Sequence, residues 1–359
     1  MSIGELLNLY KDEELDIHPE FQRVFRWTNF QKTRLIESIV LNIPIPPIFV
    51  SQREDGVWDV IDGVQRLSTI FQFVGIYKPE VGSTQDSSFT LEGTKYLPSF
   101  QGVSWDNDNP KLRFTTEQKI NFKRSRIDVI IVKKESDQES KYELFQRLNT
   151  GGSHLSAQEV RNCMIIMCRK SFYDLLSYLS TTEDFNLCIP ITERLIREQY
   201  RMELILRLLI AVYSDQNQLS SYSDLTNLID KETINLCNNF DRLETVIMSK
   251  FIKVFQLLNE AEGENVFKRH FEEGSPRGAF LSSAFQGIAT GILDNLDKIL
   301  KLPDIDRTKW ITEKIRGFYK ADTFNAMMGQ GVKPITRFLT LSSFGKQHFS
   351  FKDYGCINS

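Results

Sequence analysis

Apolar residues switch between helical and extended spacing along the first third of the chain. Residues 3–10 repeat with helical period behind Ser2, a residue type that caps helix N-termini. Residues 30–41 repeat the pattern with Leu35, Ile36, Ile39 and Val40 on one face. Pro44, Pro46 and Pro47 end that helix, because proline lacks an amide donor and disfavours helix in the residue before it. Residues 48–52 then read as a strand, Asp55-Gly56 as a tight turn and residues 57–61 as the antiparallel partner. The next helical pattern starts at Leu67 and runs to Val74, which leaves residues 62–66 on a strand-to-helix turn. Residues 78–109 carry many Gly, Ser, Thr, Asp and Asn and read as loops, with short strands expected at 89–91 and 111–114. Residues 127–132 read as a strand, and 139–148 as a helix stopped by Asn149-Thr150-Gly151-Gly152. Beyond Ser156 the spacing is helical almost throughout, notably at 162–168, 171–179, 193–212, 231–260 and 282–300. The expected fold class is α+β, with a mixed α/β domain over residues 1–155 and a mostly α-helical domain over 156–359.

Composition narrows the function classes. At 359 residues, 41% hydrophobic and 25% charged, the chain can build a sizeable core without disulfides. A formal net charge of -3 excludes a bulk polycation, so nucleic acid would have to meet a local basic face. The five cysteines form no C-x-x-C pair, and their odd number argues against a disulfide framework. No cationic leader or membrane-length apolar run is visible, so a cytoplasmic protein without membrane contact is expected.

Three polar segments carry candidate chemistry. In Asp62-Gly63-Val64-Gln65-Arg66, followed by Thr69, a carboxylate, a glycine, an amide and a guanidinium meet at a helix start. Such a start offers free amides and a positive dipole end to phosphate. Asp62 suits Mg²⁺ or a water, Gln65 could position that water, and Arg66 could grip phosphate. The bland alternative is a capped turn with a solvated arginine. Arg23 and Arg26 alternate with Phe21, Phe25 and Trp27, which suits phosphate and base contact or a strand end in the core. Asn149 and Gly151 lie in a glycine-rich stop that can bond a ligand or simply cap a helix. Lys119, Lys123, Arg124 and Arg126 form one basic cluster; Arg194, Arg197 and Arg201 form another at one-face helical spacing, open to DNA or to pairing with nearby glutamates.

In order along the chain come Phe21-Gln22-Arg23-(x)3-Trp27, Ile43-Pro44-Ile45-Pro46-Pro47-Ile48 and Asp62-Gly63-Val64-Gln65-Arg66-(x)2-Thr69. Phe145-(x)2-Leu148-Asn149-Thr150-Gly151-Gly152 and Gln158-Glu159-(x)-Arg161-Asn162 follow. This series resembles the N-terminal domain family of GmrSD-type type IV restriction enzymes. The resemblance implies a ParB/sulfiredoxin-like core in a prokaryotic anti-phage or DNA restriction system. Its Asp-Gly-Gln-Gln-Arg motif, associated with nucleotide binding and hydrolysis, falls on Asp62, Gly63, Gln65 and Arg66, with Val64 where glutamine is usual. No His-Asn-His nuclease motif is visible.

Two readings follow. In the first, the chain is an Mg²⁺-dependent NTPase, able in principle to nick DNA. Asp62, Gln65 and Arg66 are catalytic, with Asp62 on the metal. Gly63, Arg23, Thr69, Asn149 and Gly151 bind the nucleotide, and Arg26, Lys123 and Arg124 contact DNA. In the second, it is a non-catalytic DNA- or nucleotide-binding sensor that docks a separate nuclease subunit. Both are compatible with self-association into an oligomer.

Overall fold

The computed structural model describes residues 1–17, 27–53, 55–78, 88–132, 156–270, 276 and 278–351, apart from the side chains of Ile61, Cys163 and Met167. Arg23, Arg26, Asn149, Gly151 and the helix expected at 139–148 lie outside the described residues. The chain divides into two compact units, Met1–His154 and Leu155–Ser359. The fold is mixed α and β, mostly helical, with one small sheet.

In the first unit α1 spans Ile3–Lys11 and α2 spans Asn29–Val40. Both open with a capping box, Ser2 with Glu5 and Thr28 with Gln31, in which side chain and backbone satisfy each other's free donors. Strands β1 (Leu15–Asp16), β2 (Ile48–Gln52), β3 (Trp58–Asp62) and β4 (Val129–Val132) lie in the order β1-β3-β2-β4. β2 and β3 form the expected antiparallel hairpin, while β1 pairs β3, and β4 pairs β2, in parallel. Helix α3 (Val64–Val74) leaves β3 directly, and α4 (Thr116–Arg124) precedes β4.

No strand forms at 89–91 or 111–114, contrary to the expectation from sequence. Their apolar side chains serve a different purpose. Phe89, Trp105, Phe114 and Phe122 surround Phe73 of α3 at ring-centroid distances of 5.1–5.9 Å. Aromatic burial therefore fixes the long connection, with short 3-10 turns at Pro98–Phe100 and Pro110–Leu112.

The second unit is helical: α5 (Ala157–Thr181), α6 (Glu183–Cys188), α7 (Glu193–Arg197), α8 (Tyr200–Tyr213), α9 (Gln216–Leu219), α10 (Leu225–Glu262), α11 (Ser282–Ile299), α12 (Asp304–Lys320), α13 (Asp322–Met327) and α14 (Pro334–His348). Among the described residues no helix is long and apolar enough to cross a membrane. The expected single helix at 193–212 is broken by Gln199, which adopts a left-handed φ of 60°. Arg194, Arg197 and Arg201 therefore do not share one helical face. Arg194 pairs with Glu198, and Arg201 is half-buried, with burial pulling its pKa down.

Buried polar groups tie this unit together. Arg161, 2% exposed, donates to Asp230 at 2.6 Å, to Glu203 at 3.2 Å and to Gln158 at 3.3 Å. An arginine sunk this far is tolerable only with its charge and donors matched. The helices α11 and α14 meet backbone to backbone through Gly287, Gly291 and Gly345. A Cβ on Gly345 would overlap the Gly287 carbonyl, whereas one on Gly317 would make an ordinary 3.5 Å contact with His348. Gly345→Ala should therefore lower unfolding free energy by about 3 kcal/mol through overpacking. Gly317→Ala, in α12, should be neutral or stabilising by up to ~1 kcal/mol from helix propensity. Urea unfolding of the two variants measures both, and an equal response in sign and size would refute the close-approach reading.

Candidate functional site

The junction between β3 and α3 is the candidate site. β3 keeps its register with β2 up to a Phe49↔Asp62 pairing, with an irregularity between Phe49 and Val50. Asp62 is thus the last strand residue. Gly63 follows as N-cap with φ 100°, a left-handed conformation that glycine adopts without penalty. A Cβ there would also overlap Ile48 Cδ1, so two independent constraints hold the position to glycine. The sharp reversal starts α3 at Val64, three positions before the Leu67 expected from apolar spacing. Val64, Gln65 and Arg66 become the first turn of a helix with no side-chain cap.

Arg66 turns inward. Its side chain is 10% exposed and its Nη2 donates to Asp62 Oδ2 at 2.6 Å. Its Nη1 donates to the Pro47 carbonyl at 3.1 Å and to the Pro46 carbonyl. Burial pulls the guanidinium pKa below its usual value, and the Asp62 charge opposes that shift. This corrects the expectation of a guanidinium extended to grip phosphate: three acceptors already engage it. Asp62, by contrast, keeps 42% of its side chain exposed, and Oδ1 takes no partner among the described residues. The carboxylate is therefore aimed from behind and open in front.

The other expected residues fall in different places. Gln65 is half-buried at the second helical position. Thr69 is fully buried and its hydroxyl donates to the Gln65 carbonyl at 2.7 Å, so it faces the core and not a nucleotide. Lys123 and Arg124 are exposed on α4, well along the chain from the junction. Lys119 and Lys123 both lie over the Trp105 ring, at 5.4 and 5.9 Å, and Lys119 also pairs with Asp106 at 2.5 Å.

A further polar group escaped the sequence reading. Lys32, 7% exposed, donates to Gln72 at 2.8 Å and lies 5.3 Å from the Phe89 ring centroid. On the same helix, Glu37 is buried and accepts from Thr94. A signal for this group does exist in the sequence. Lys32 and Thr33 precede Ile36 and Glu37 at helical spacing, so polar side chains flank an apolar position on the buried side of α2. Apolar spacing alone passes over them.

Comparison with the curated proteins and with the solved structures finds no match in either. A family model described as the GmrSD restriction endonuclease, N-terminal domain, matches residues 3–166. That span contains the sheet, the junction and the first part of α5. Residues 3–166 are thus similar to the N-terminal domain family of the GmrSD restriction endonucleases.

Proposed function

We propose that this protein binds and hydrolyses a nucleoside triphosphate in the course of acting on or sensing foreign DNA. One observation carries the reading: a half-exposed Asp62 carboxylate is aimed by a buried guanidinium beside the uncapped first turn of α3. The amides and dipole of that turn favour an anion. The carboxylate alone would repel one. A divalent cation carried on the phosphates reconciles the two, because Mg²⁺ commonly binds one or two carboxylates together with substrate phosphates. The residues fit an ion only in that shared form, since among the described residues no group of three or more His, Cys, Asp or Glu gathers.

In this reading Asp62 holds Mg²⁺, and the ion supplies charge compensation to the phosphates. Gly63 lets the backbone approach the ligand closely. Gln65 orients water, and Arg66 is a positioning residue that fixes Asp62. Arg23, Asn149 and Gly151 complete the nucleotide contacts that the family resemblance implies, on a core of ParB/sulfiredoxin-like type. A separate nuclease subunit would supply any cutting activity absent from this chain.

DNA contact is assigned to the α4 face. Lys111, Arg113, Lys123 and Arg124 are exposed and have no carboxylate partner among the described residues. Cations left unpaired beside an aromatic ring suit a phosphate backbone. The sensor alternative shares this face and differs in turnover.

Two measurements test the reading. Phosphate release from each of the four NTPs with Mg²⁺, with and without DNA, should be detectable for the wild type. Asp62→Asn should reduce it at least ~100-fold, a loss typical of removing a charged group from a phosphoryl-transfer site, at a stability cost of only about 1–2 kcal/mol. Arg66→Ala should lose both activity and about 2–4 kcal/mol of stability, because it strands Asp62 and two carbonyls. Nucleotide binding without release would favour the sensor, and neither binding nor release would sink both. Separately, duplex affinity should fall steeply with salt, and replacing Lys123 or Arg124 by Gln should each reduce the log–log slope by about 1. A salt-independent affinity, or an unchanged slope in both variants, would remove α4 as the DNA face.

A further inference from the structure

The helices α5 and α10 run parallel along a shared seam. Arg161 of α5 holds Asp230 of α10 at 2.6 Å, and Phe172 meets Phe240 with ring centroids 5.0 Å apart. Between these contacts lie Cys168 and Cys237. Each cysteine follows one member of the ion pair at the same interval, from 161 to 168 on α5 and from 230 to 237 on α10. Two turns on each helix therefore bring the cysteines to the same level. Side-chain contacts agree: Cys168 Sγ lies 3.8 Å from Oδ1 of Asn238, the neighbour of Cys237 in the chain, and Arg169 pairs with Asp241 at 2.8 Å.

We propose that Cys168 and Cys237 are a modification site, a dithiol that hydrogen peroxide converts reversibly to a disulfide between α5 and α10. Cys168 is half-exposed and Cys237 buried. The neighbouring Cys237 thiol and the charge of Arg169 pull the Cys168 pKa down, whereas the neighbouring Cys168 and burial push that of Cys237 up. Cys168 is accordingly the nucleophile and Cys237 the resolving thiol. The Cys168 thiolate attacks one peroxide oxygen, the O–O bond breaks, and water leaves after proton uptake, giving a sulfenic acid. Cys237 sulfur then attacks the sulfenic sulfur, the S–O bond breaks, and the departing hydroxide takes the Cys237 proton as a second water. Two thiols and one peroxide thus become one disulfide and two waters.

α5 leaves helical geometry at Arg169, with φ -158° and ψ 94°, immediately after Cys168. A disulfide needs Cα atoms within about 7 Å, and a helix already broken at the next residue can adjust locally. Cys188 provides an internal contrast, since it is fully buried with its pKa pushed up to about 12.

The test is peptide mapping of the full-length protein after hydrogen peroxide treatment, without reduction. The expected product is a Cys168–Cys237 linked peptide that dithiothreitol removes. Dimedone should label Cys168 in Cys237→Ser, and Cys168→Ser should leave Cys237 unlabelled. Cys168 should react with iodoacetamide at neutral pH at least ~10-fold faster than Cys188, as a lowered thiol pKa and greater exposure require. Absence of the linked peptide at peroxide doses that oxidise glutathione would overturn the proposal, as would Cys168 pairing with any other cysteine. The wild-type map decides the matter even if a serine variant fails to fold.

Discussion

The first unit depends on where the Arg66 guanidinium goes. A charged group 9% exposed must exchange hydration for fixed partners. Here those partners come from two places in the chain: Asp62 at the end of β3, and the Pro46 and Pro47 carbonyls just before β2. The Pro46 and Pro47 carbonyls precede the first residue of β2 and accept from the Arg66 guanidinium. One side chain thus fastens the approach to β2, the exit from β3 and the first turn of α3. The geometry of Asp62 is a consequence of this fastening.

The second unit solves the same problem with Arg161. Its partners Asp230 and Glu203 come from α10 and α8, so a single buried cation joins three helices. Buried ion pairs return little net stability against well-packed apolar groups, because desolvation offsets the attraction. Removing one partner, however, strands the other as an unmatched buried charge, which is strongly destabilising. Arg53, between Asp16 and Asp59, applies a milder version of this across β1, β2 and β3.

Local signals were legible in the sequence and long-range ones were not. The start of α1 followed from its Ser2 cap and apolar period, that of α2 from apolar period alone, and the β2–β3 hairpin from Asp55-Gly56. The strand-to-helix turn at Asp62 was also readable, but its sharpness was not, because the left-handed Gly63 sets the helix start and apolar spacing does not report φ. Residues 89–91 and 111–114 have strand-like composition, yet their rings are claimed by Phe73. The arginine stripe failed for a related reason: a single residue, Gln199, changes conformation and rotates everything beyond it. The inward direction of Arg66 depends on carbonyls some twenty positions earlier, which no local pattern encodes.

The family match and the compact unit end at different places, and the burial pattern explains why. The match continues to residue 166, whereas the first unit closes at His154. Residues 156–166 begin α5, where Gln158, Arg161 and Asn162 are buried beside Val160, Met164 and Ile165. Gln158 and Asn162 bond to each other at 2.8 Å, and Arg161 reaches into α8 and α10. A segment with this many buried polar groups cannot stand in water as a terminal tail without giving up those partners. The last motif of the N-terminal family segment is therefore built into the core of the helical unit. A domain boundary drawn from sequence similarity alone would cut through the interactions that hold that unit together.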